Sequence, residues 1–190
     1  MESNHQDRER CLAVERGNRE AAELLLEHHY QAVFAYHRRQ VSCDDDAADL
    51  TQETFGRVWQ NLGTFRSASS VRTWIHRIAY CTWVDWIRRQ RTPEIRPEGW
   101  WDNLPCPAAD PSNAAIDAES LRDLWSQVAS LPEEERQVVH LHFAQQLTQA
   151  QAAEVLQVSL STLKIRLTSA MDRLRSRLRS EHSTTALPNS

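Results

Sequence analysis

Glycine is scarce: the 190-residue chain has four. That leaves no glycine-rich loop to cradle a phosphate. With few long β-branched runs as well, the composition leans helical. Cysteine is sparse and scattered. Cys11, Cys43, Cys81 and Cys106 form no CxxC pair, so they are read as reduced thiols in core or surface positions rather than as a disulfide framework or metal site. Long apolar runs are missing too. None approaches the ~20 residues that span a bilayer. The polar start, Met1-Glu2-Ser3-Asn4-His5-Gln6-Asp7-Arg8, lacks the apolar core of a signal peptide, so a cytoplasmic protein is expected. An excess of positive charge is absent: 22 Lys and Arg against 26 Asp and Glu leave a net charge of −4. A nucleic-acid partner must therefore be read from local charge on one face. His28-His29 and His140-x-His142 invite a metal reading, but on one helix neither spacing puts both rings on one face as i,i+4 does. With no nucleophile–base arrangement either, no enzymatic activity, cofactor or metal is expected.

What the chain does have is two blocks of helical periodicity around one compositional break. Most of the prolines (Pro93, Pro97, Pro105, Pro107, Pro111), with Gly99, fall between about Thr92 and Ala115, where no continuous helix can run. The expected organisation is all-α: an N-terminal tail over 1–14, a helical domain over 15–92, a proline-rich linker over 93–115, a second helical domain over 116–180, and a polar, disordered tail over 181–190. In the first block Asn18 is an N-cap for a helix bearing Leu24, Leu25, Val33 and Phe34. Asp44, Asp45 and Asp46 open the next helix, where negative charge suits the dipole. Its apolar face is Leu50, Phe55, Val58, Trp59 and Leu62, and Gly63 stops it. After a serine-rich loop, Ser69 or Ser70 caps a long helix carrying Trp74, Ile75, Ile78, Ala79 and Trp86.

In the second block a helix around Leu121, Leu124, Trp125 and Val128 precedes two capping-box patterns, Ser130-Leu131-Pro132-Glu133 and Thr148-Gln149-Ala150-Gln151. Val138, Val139, Leu141 and Phe143 are expected to be buried on the helix after the first. The second opens a short helix to Leu156. A Gln157-Val158 turn follows, and Ser159 caps a last helix with Leu163, Leu167, Ala170, Met171, Leu174 and Leu178 inward. Short helix, tight turn and basic helix make a helix-turn-helix. Ser161, Thr162, Lys164, Ile165, Arg166, Thr168, Ser169 and Arg173 on that helix supply the hydroxyls and cations that phosphates and base edges require. A second basic site is the Arg88, Arg89 and Arg91 cluster. It lies near Trp74, Trp83, Trp86 and the Phe65–Val71 loop, a mixture of rings and cations that suits single-stranded DNA.

Three segments resemble one family. Asp46-Ala47-Ala48-Asp49-Leu50-Thr51-Gln52-Glu53-Thr54-Phe55-Gly56-Arg57-Val58-Trp59 resembles region 2.2 of RNA polymerase sigma factors. Phe65-Arg66-Ser67-Ala68-Ser69-Ser70-Val71-Arg72-Thr73-Trp74-Ile75-His76-Arg77-Ile78-Ala79 is similar to regions 2.3 and 2.4. Leu131-Pro132-Glu133-Glu134-Glu135-Arg136 through Leu174 is similar to region 4. The chain is thereby identified as a member of the two-domain extracytoplasmic-function group. The resemblance implies that Asp49, Leu50, Gln52, Glu53, Phe55 and Arg57 dock on the β′ clamp helices of core RNA polymerase, with the β flap as a second partner surface. It implies that Phe65, Arg66, Ser67, Ser69, Ser70, Arg72, Trp74, Arg77, Arg88, Arg89 and Arg91 serve the −10 element, as duplex and single strand, and that the helix from Ser159 reads the −35 element. It also implies an anti-sigma partner, and a linker threading toward the RNA path with Trp100-Trp101 either anchoring it or tucking onto one of the domains. Gln157, Ser161 and Ser67 stand where the family commonly has glycine, Ser169 where it often has arginine, and Cys81 where it has asparagine. Two other readings stay open: a conventional helix-turn-helix regulator working without polymerase, and a sigma-like adaptor that binds only protein.

Overall fold

The computed structural model describes residues 2–41, 43–65, 69–91 and 118–184. The proline-rich stretch, Trp100-Trp101, Cys106, Arg66 and Ser67 lie outside the described residues, as do the side chain of Arg91 and everything after Thr184. Every described element is helical: α1 (Glu2–Glu15), α2 (Arg19–Arg38), α3 (Asp44–Asn61), α4 (Val71–Arg91), α5 (Ala118–Ala129), α6 (Glu133–Val139), α7 (Gln149–Leu156) and α8 (Leu160–Thr184). The chain divides into two compact units, one carrying α1 to α4 and one built mainly from α5 to α8.

In the first unit successive helices pack on one another, α1 on α2, α2 on α3 and α3 on α4. Leu25, Val33, Tyr36, Val58, Ile75 and Ala79 are buried along their seams, and Val41, Ala47, Leu50 and Trp83 form one contiguous cluster. The caps come from the local sequence. Asn18 accepts from the Ala21 amide at 3.0 Å. At α3 the cap is Cys43, whose Sγ accepts from the Asp46 amide at 3.3 Å, ahead of the three aspartates of the first turn. Gly63 does not end α3 as a left-handed glycine; it lies in a single 3₁₀ turn, Leu62–Thr64, and the positive-φ glycine among the described residues is Gly17.

Residues 1–14, expected as a tail, are mostly helix. α1 docks with Asp7 and Cys11 buried one turn apart. Burial, with Asp7 and Glu15 beside it, pushes the Cys11 thiol up to about 11, so it stays protonated and inert at neutral pH.

In the second unit Val128, Leu131, Val139, Ala170 and Leu174 make the core, with Trp125 against it. The Thr148 box forms in both directions: the Thr148 amide donates to Gln151 Oε1 at 2.9 Å and the Gln151 amide to Thr148 Oγ1 at 3.3 Å. The Ser130 box does not. Ser130 donates back to the Gln127 carbonyl at 2.7 Å, and α6 starts at Pro132 with no side-chain cap. Phe143, expected inside, is 51% exposed. α6 runs on into a π turn, His140–Ala144, and the extra residue in that turn rotates the end of the helix away from the core. α8 continues through Thr184, past Ser180 where the tail was expected to begin.

Gln157, in the turn before α8, has φ +56°. This is the left-handed conformation that explains why a glycine suits the position. Left-handed backbone costs a non-glycine residue roughly 1–2 kcal/mol, and glycine forfeits about 0.5–1 kcal/mol in backbone entropy. Gln157→Gly is therefore expected to stabilise the protein by about 0.5–1 kcal/mol. Urea unfolding of the two proteins checks it, and a lower midpoint for the variant would contradict the assignment of strain.

Candidate nucleic-acid interface

α8 is positioned by its cap and by α6. Ser159 Oγ accepts from the Thr162 amide at 3.1 Å and sits 2.8 Å from both Ser161 Oγ and Thr162 Oγ1. Leu163 and Ala170 are fully buried and Leu174 nearly so, which fixes the helix's rotation. The face opposite carries Ser161, Lys164, Ile165 and Thr168, an i, i+3, i+4, i+7 stripe. All four are exposed. Ile165, 69% exposed, is an apolar tip on a polar stripe, and a thymine methyl offers such a group a partner in the major groove.

Arg166, Ser169 and Arg173 are not on that stripe. They share the flank that faces α6. Arg166 Nη2 lies 2.6 Å from a Glu134 carboxylate oxygen. Ser169 Oγ donates to Glu135 Oε1 at 2.8 Å, and Arg173 Nε donates to the same oxygen at 3.2 Å. Glu135 itself is buried; these bonds satisfy its Oε1, while Oε2 makes no hydrogen bond and has the Arg173 guanidinium 3.1 Å away as its compensating charge. Their first role is to hold α8 on α6. Glu134 and Glu135 are site residues that helical periodicity could not identify.

The basic end of α4 is likewise less free than its sequence suggests. Arg57 Nη1 donates to Asp85 Oδ2 at 2.7 Å and its Nη2 to Glu53 Oε1 at 2.7 Å, while Arg89 Nη2 donates to Glu53 Oε2 at 2.9 Å. Arg88 lies 3.9 Å from Asp85. Burial alone would raise Glu53, but the bonds and charges of Arg89 and Arg57 outweigh it and hold the carboxyl below its ordinary value. The Asp85 hydrogen bond leads the effects that raise Arg57 above its usual value. Half-exposed pairs of this kind contribute well under ~1 kcal/mol each; what they do is tie α3 to α4 and orient the arginines.

At the start of α4, Phe65 and Trp74 rings meet with centroids 5.2 Å apart, forming a half-exposed aromatic platform beside the loop. Ser70 serves as the cap of α4, its Oγ accepting from the Thr73 amide at 3.0 Å. Ser69 is half-buried and Arg77 exposed. Arg72 is partly buried, and that burial lowers its pKa.

On α3 the six residues expected to dock on polymerase separate. Asp49 and Gln52 are exposed, and Glu53 and Arg57 are half-buried in the ion-pair network. Leu50 and Phe55 are not surface residues: they are 1% and 3% exposed. Leu50 belongs to the cluster with Val41, Ala47 and Trp83. Phe55 meets Tyr30 and Trp59 at centroid distances of 6.2 and 6.3 Å.

A short capped helix, a left-handed turn and a second capped helix with an outward stripe of hydroxyls, a lysine and an isoleucine define a helix-turn-helix DNA-binding protein, here joined in one chain to a separate helical unit. Residues 25–92 match Sigma-70 region 2 and residues 128–176 match Sigma-70, region 4. RNA polymerase sigma factor YlaC of Bacillus subtilis is 30% identical, with 79% of this chain and 87% of that one aligned. ECF RNA polymerase sigma factor RpoE of Cereibacter sphaeroides is 31% identical, with 80% and 82% aligned. Among solved structures, CnrH in complex with the cytosolic domain of CnrY shares the fold with a TM-score of 0.69 at 22% identity, covering 92% of this chain and 98% of that one. Sigma factor RpoE in complex with the anti-sigma factor NepR from Bartonella quintana gives 0.65 at 22% identity, covering 83% and 96%. The chain belongs to the sigma-70 family, in its extracytoplasmic-function group, and its function is that of a promoter-recognising sigma factor. No helix among the described residues is long and apolar enough to cross a membrane.

Proposed function

We propose that the two units divide the work of initiation. The first docks on the β′ clamp helices of core polymerase through the outer face of α3, with Asp49 and Gln52 as its exposed contacts and Glu53 and Arg57 at its margin. The same unit takes the −10 element, with the Phe65–Trp74 platform meeting unstacked bases and Arg77, Arg88 and Arg89 near the strand backbone. Binding energy for the unpaired strand offsets the few kcal/mol of unpairing, so melting needs no chemistry from this chain. The second unit reads the −35 element in the major groove through Ser161, Lys164, Ile165 and Thr168, next to the polymerase β flap. The observation that carries this division is the outward stripe of α8, left clear while Glu134 and Glu135 hold the opposite flank.

The same reading gives the chain an anti-sigma partner. In its support, two sigma chains of this fold are each seen bound by another protein, CnrH by the cytosolic domain of CnrY and RpoE by the anti-sigma factor NepR.

The test is to mix the chain with core polymerase and sequence the 5′ ends of transcripts made on genomic DNA of its host. A stable complex starting at a few sites with shared upstream elements is the expected result; no complex would sink the proposal. Lys164→Ala is expected to reduce initiation about 10-fold, in line with the ~1–3 kcal/mol of a good base or phosphate contact, with core binding unchanged. Asp49→Arg is expected to weaken core binding itself. Equal loss of core binding in both variants would contradict the division between the units.

A further inference from the structure

The histidines at 28 and 29 are neighbours on one helix, where side chains diverge, yet their ring tips converge on a residue of another helix. Asp7 of α1 is 3% exposed. Its Oδ2 lies 3.0 Å from His29 Nε2 and 4.0 Å from His28 Nε2, and the three candidate ligand atoms all fall within 4.8 Å of one another. We propose that Asp7, His28 and His29 bind one borderline divalent transition-metal ion of the zinc class, which fastens α1 to α2.

The donor set is chemically suited to such an ion. Two imidazoles and a carboxylate are the N₂O set of open zinc sites, with water in the remaining position. Ligands about 2.1 Å from a tetrahedral centre sit roughly 3.4 Å apart. The Asp7–His29 separation is already that short, and His28, half-exposed, has room to swing in and leaves a path for the ion and its water. The supporting shell is present. Arg10 Nη1 donates to the other carboxylate oxygen, Asp7 Oδ1, at 3.1 Å, which orients the ligand as second-layer partners do. A plain hydrogen-bonded pair would need only Asp7 and His29; an exposed ring aimed at the same oxygen is what a metal site adds.

The full chain, stripped of metal, is titrated with cobalt(II) as a visible probe and then competed with zinc(II). One equivalent of cobalt is expected to give a ligand-field band that zinc displaces. His28→Ala removes an exposed ligand with little risk to the fold and is expected to weaken zinc binding at least about 10-fold, while His142→Ala, in the other histidine pair, leaves it unchanged. No band and no zinc binding at micromolar metal would overturn the proposal, as would wild-type affinity in the folded His28→Ala variant.

Discussion

Phe55→Ala is expected to abolish polymerase binding by unfolding the first unit, not by removing a contact. Phe55 is 3% exposed and its ring lies between those of Tyr30 and Trp59. Truncating a buried phenylalanine costs about 3–5 kcal/mol, a large part of the roughly 5–15 kcal/mol that holds a domain together. The loss of binding should therefore come with loss of helical circular dichroism and of slow amide exchange in α2 and α3. Phe55→Leu, which keeps most of the volume, should recover both together. Asp49→Arg provides the contrast: an exposed substitution away from any pair is worth within about 0.5 kcal/mol of stability, so its polymerase defect should appear in a fully folded protein. A Phe55→Ala protein that stayed as stable as wild type yet failed to bind would return Phe55 to the docking surface.

That contrast also shows which parts of the molecule were readable in the chain. The α3 periodicity of Leu50, Phe55 and Val58 already marks an inward face, and the structure keeps it; assigning the first two to docking came from the family motif, which does not separate a residue that shapes the surface from one that forms it. The Ser161, Lys164, Ile165, Thr168 stripe was legible because Leu163, Ala170 and Leu174 set the helix's rotation unambiguously. That Arg166, Ser169 and Arg173 pair with α6 was not legible, because their partners, Glu134 and Glu135, lie more than thirty residues away (34 and 38 for the two Glu135 bonds), and no periodicity reports a pairing at that range. α1 was missed for a related reason. It buries Asp7 and Cys11 while leaving Leu12 53% exposed, so it has no apolar stripe to detect, and its docking depends on a polar partner, His29, on the next helix. The exposure of Phe143 comes from the π turn at His140–Ala144, a one-residue change of register with no residue-type signature.

Mild acid is expected to destabilise the first unit through one residue, His37. Its side chain is fully buried, and Nε2 lies 2.9 Å from Thr54 Oγ1. The Thr54 hydroxyl donates its proton to the Leu50 carbonyl at 2.7 Å, so it can only accept from the histidine. That fixes the tautomer: Nε2 carries the proton, and Nδ1 is a bare nitrogen, buried without a hydrogen-bond partner. Protonating Nδ1 would bury a charge and an unpaired donor together. Burial, with a smaller contribution from His76, accordingly pushes the His37 pKa down from 6.5 to about 3. Between those values the unfolded chain takes up a proton that the folded chain refuses, so stability is full above about 6.5 and falls as the pH drops toward 3. The slope approaches ~1.4 kcal/mol per pH unit, and the loss reaches about 2 kcal/mol by pH 5. The two carboxyls with lowered values, Asp7 and Glu53, contribute only as the pH falls further, below the ordinary carboxylate values, and the comparison with a His37 variant separates this residue from the other histidines of the unit. The measurement is the unfolding free energy from amide exchange in α2 and α3 at pH 7 and pH 5. His37→Gln, which retains a donor for Thr54 but does not titrate, should be weaker at pH 7 yet lose about 2 kcal/mol less than wild type on acidification. Equal losses in the two proteins would mean that His37 is protonated in the folded state, and that the assigned tautomer is wrong.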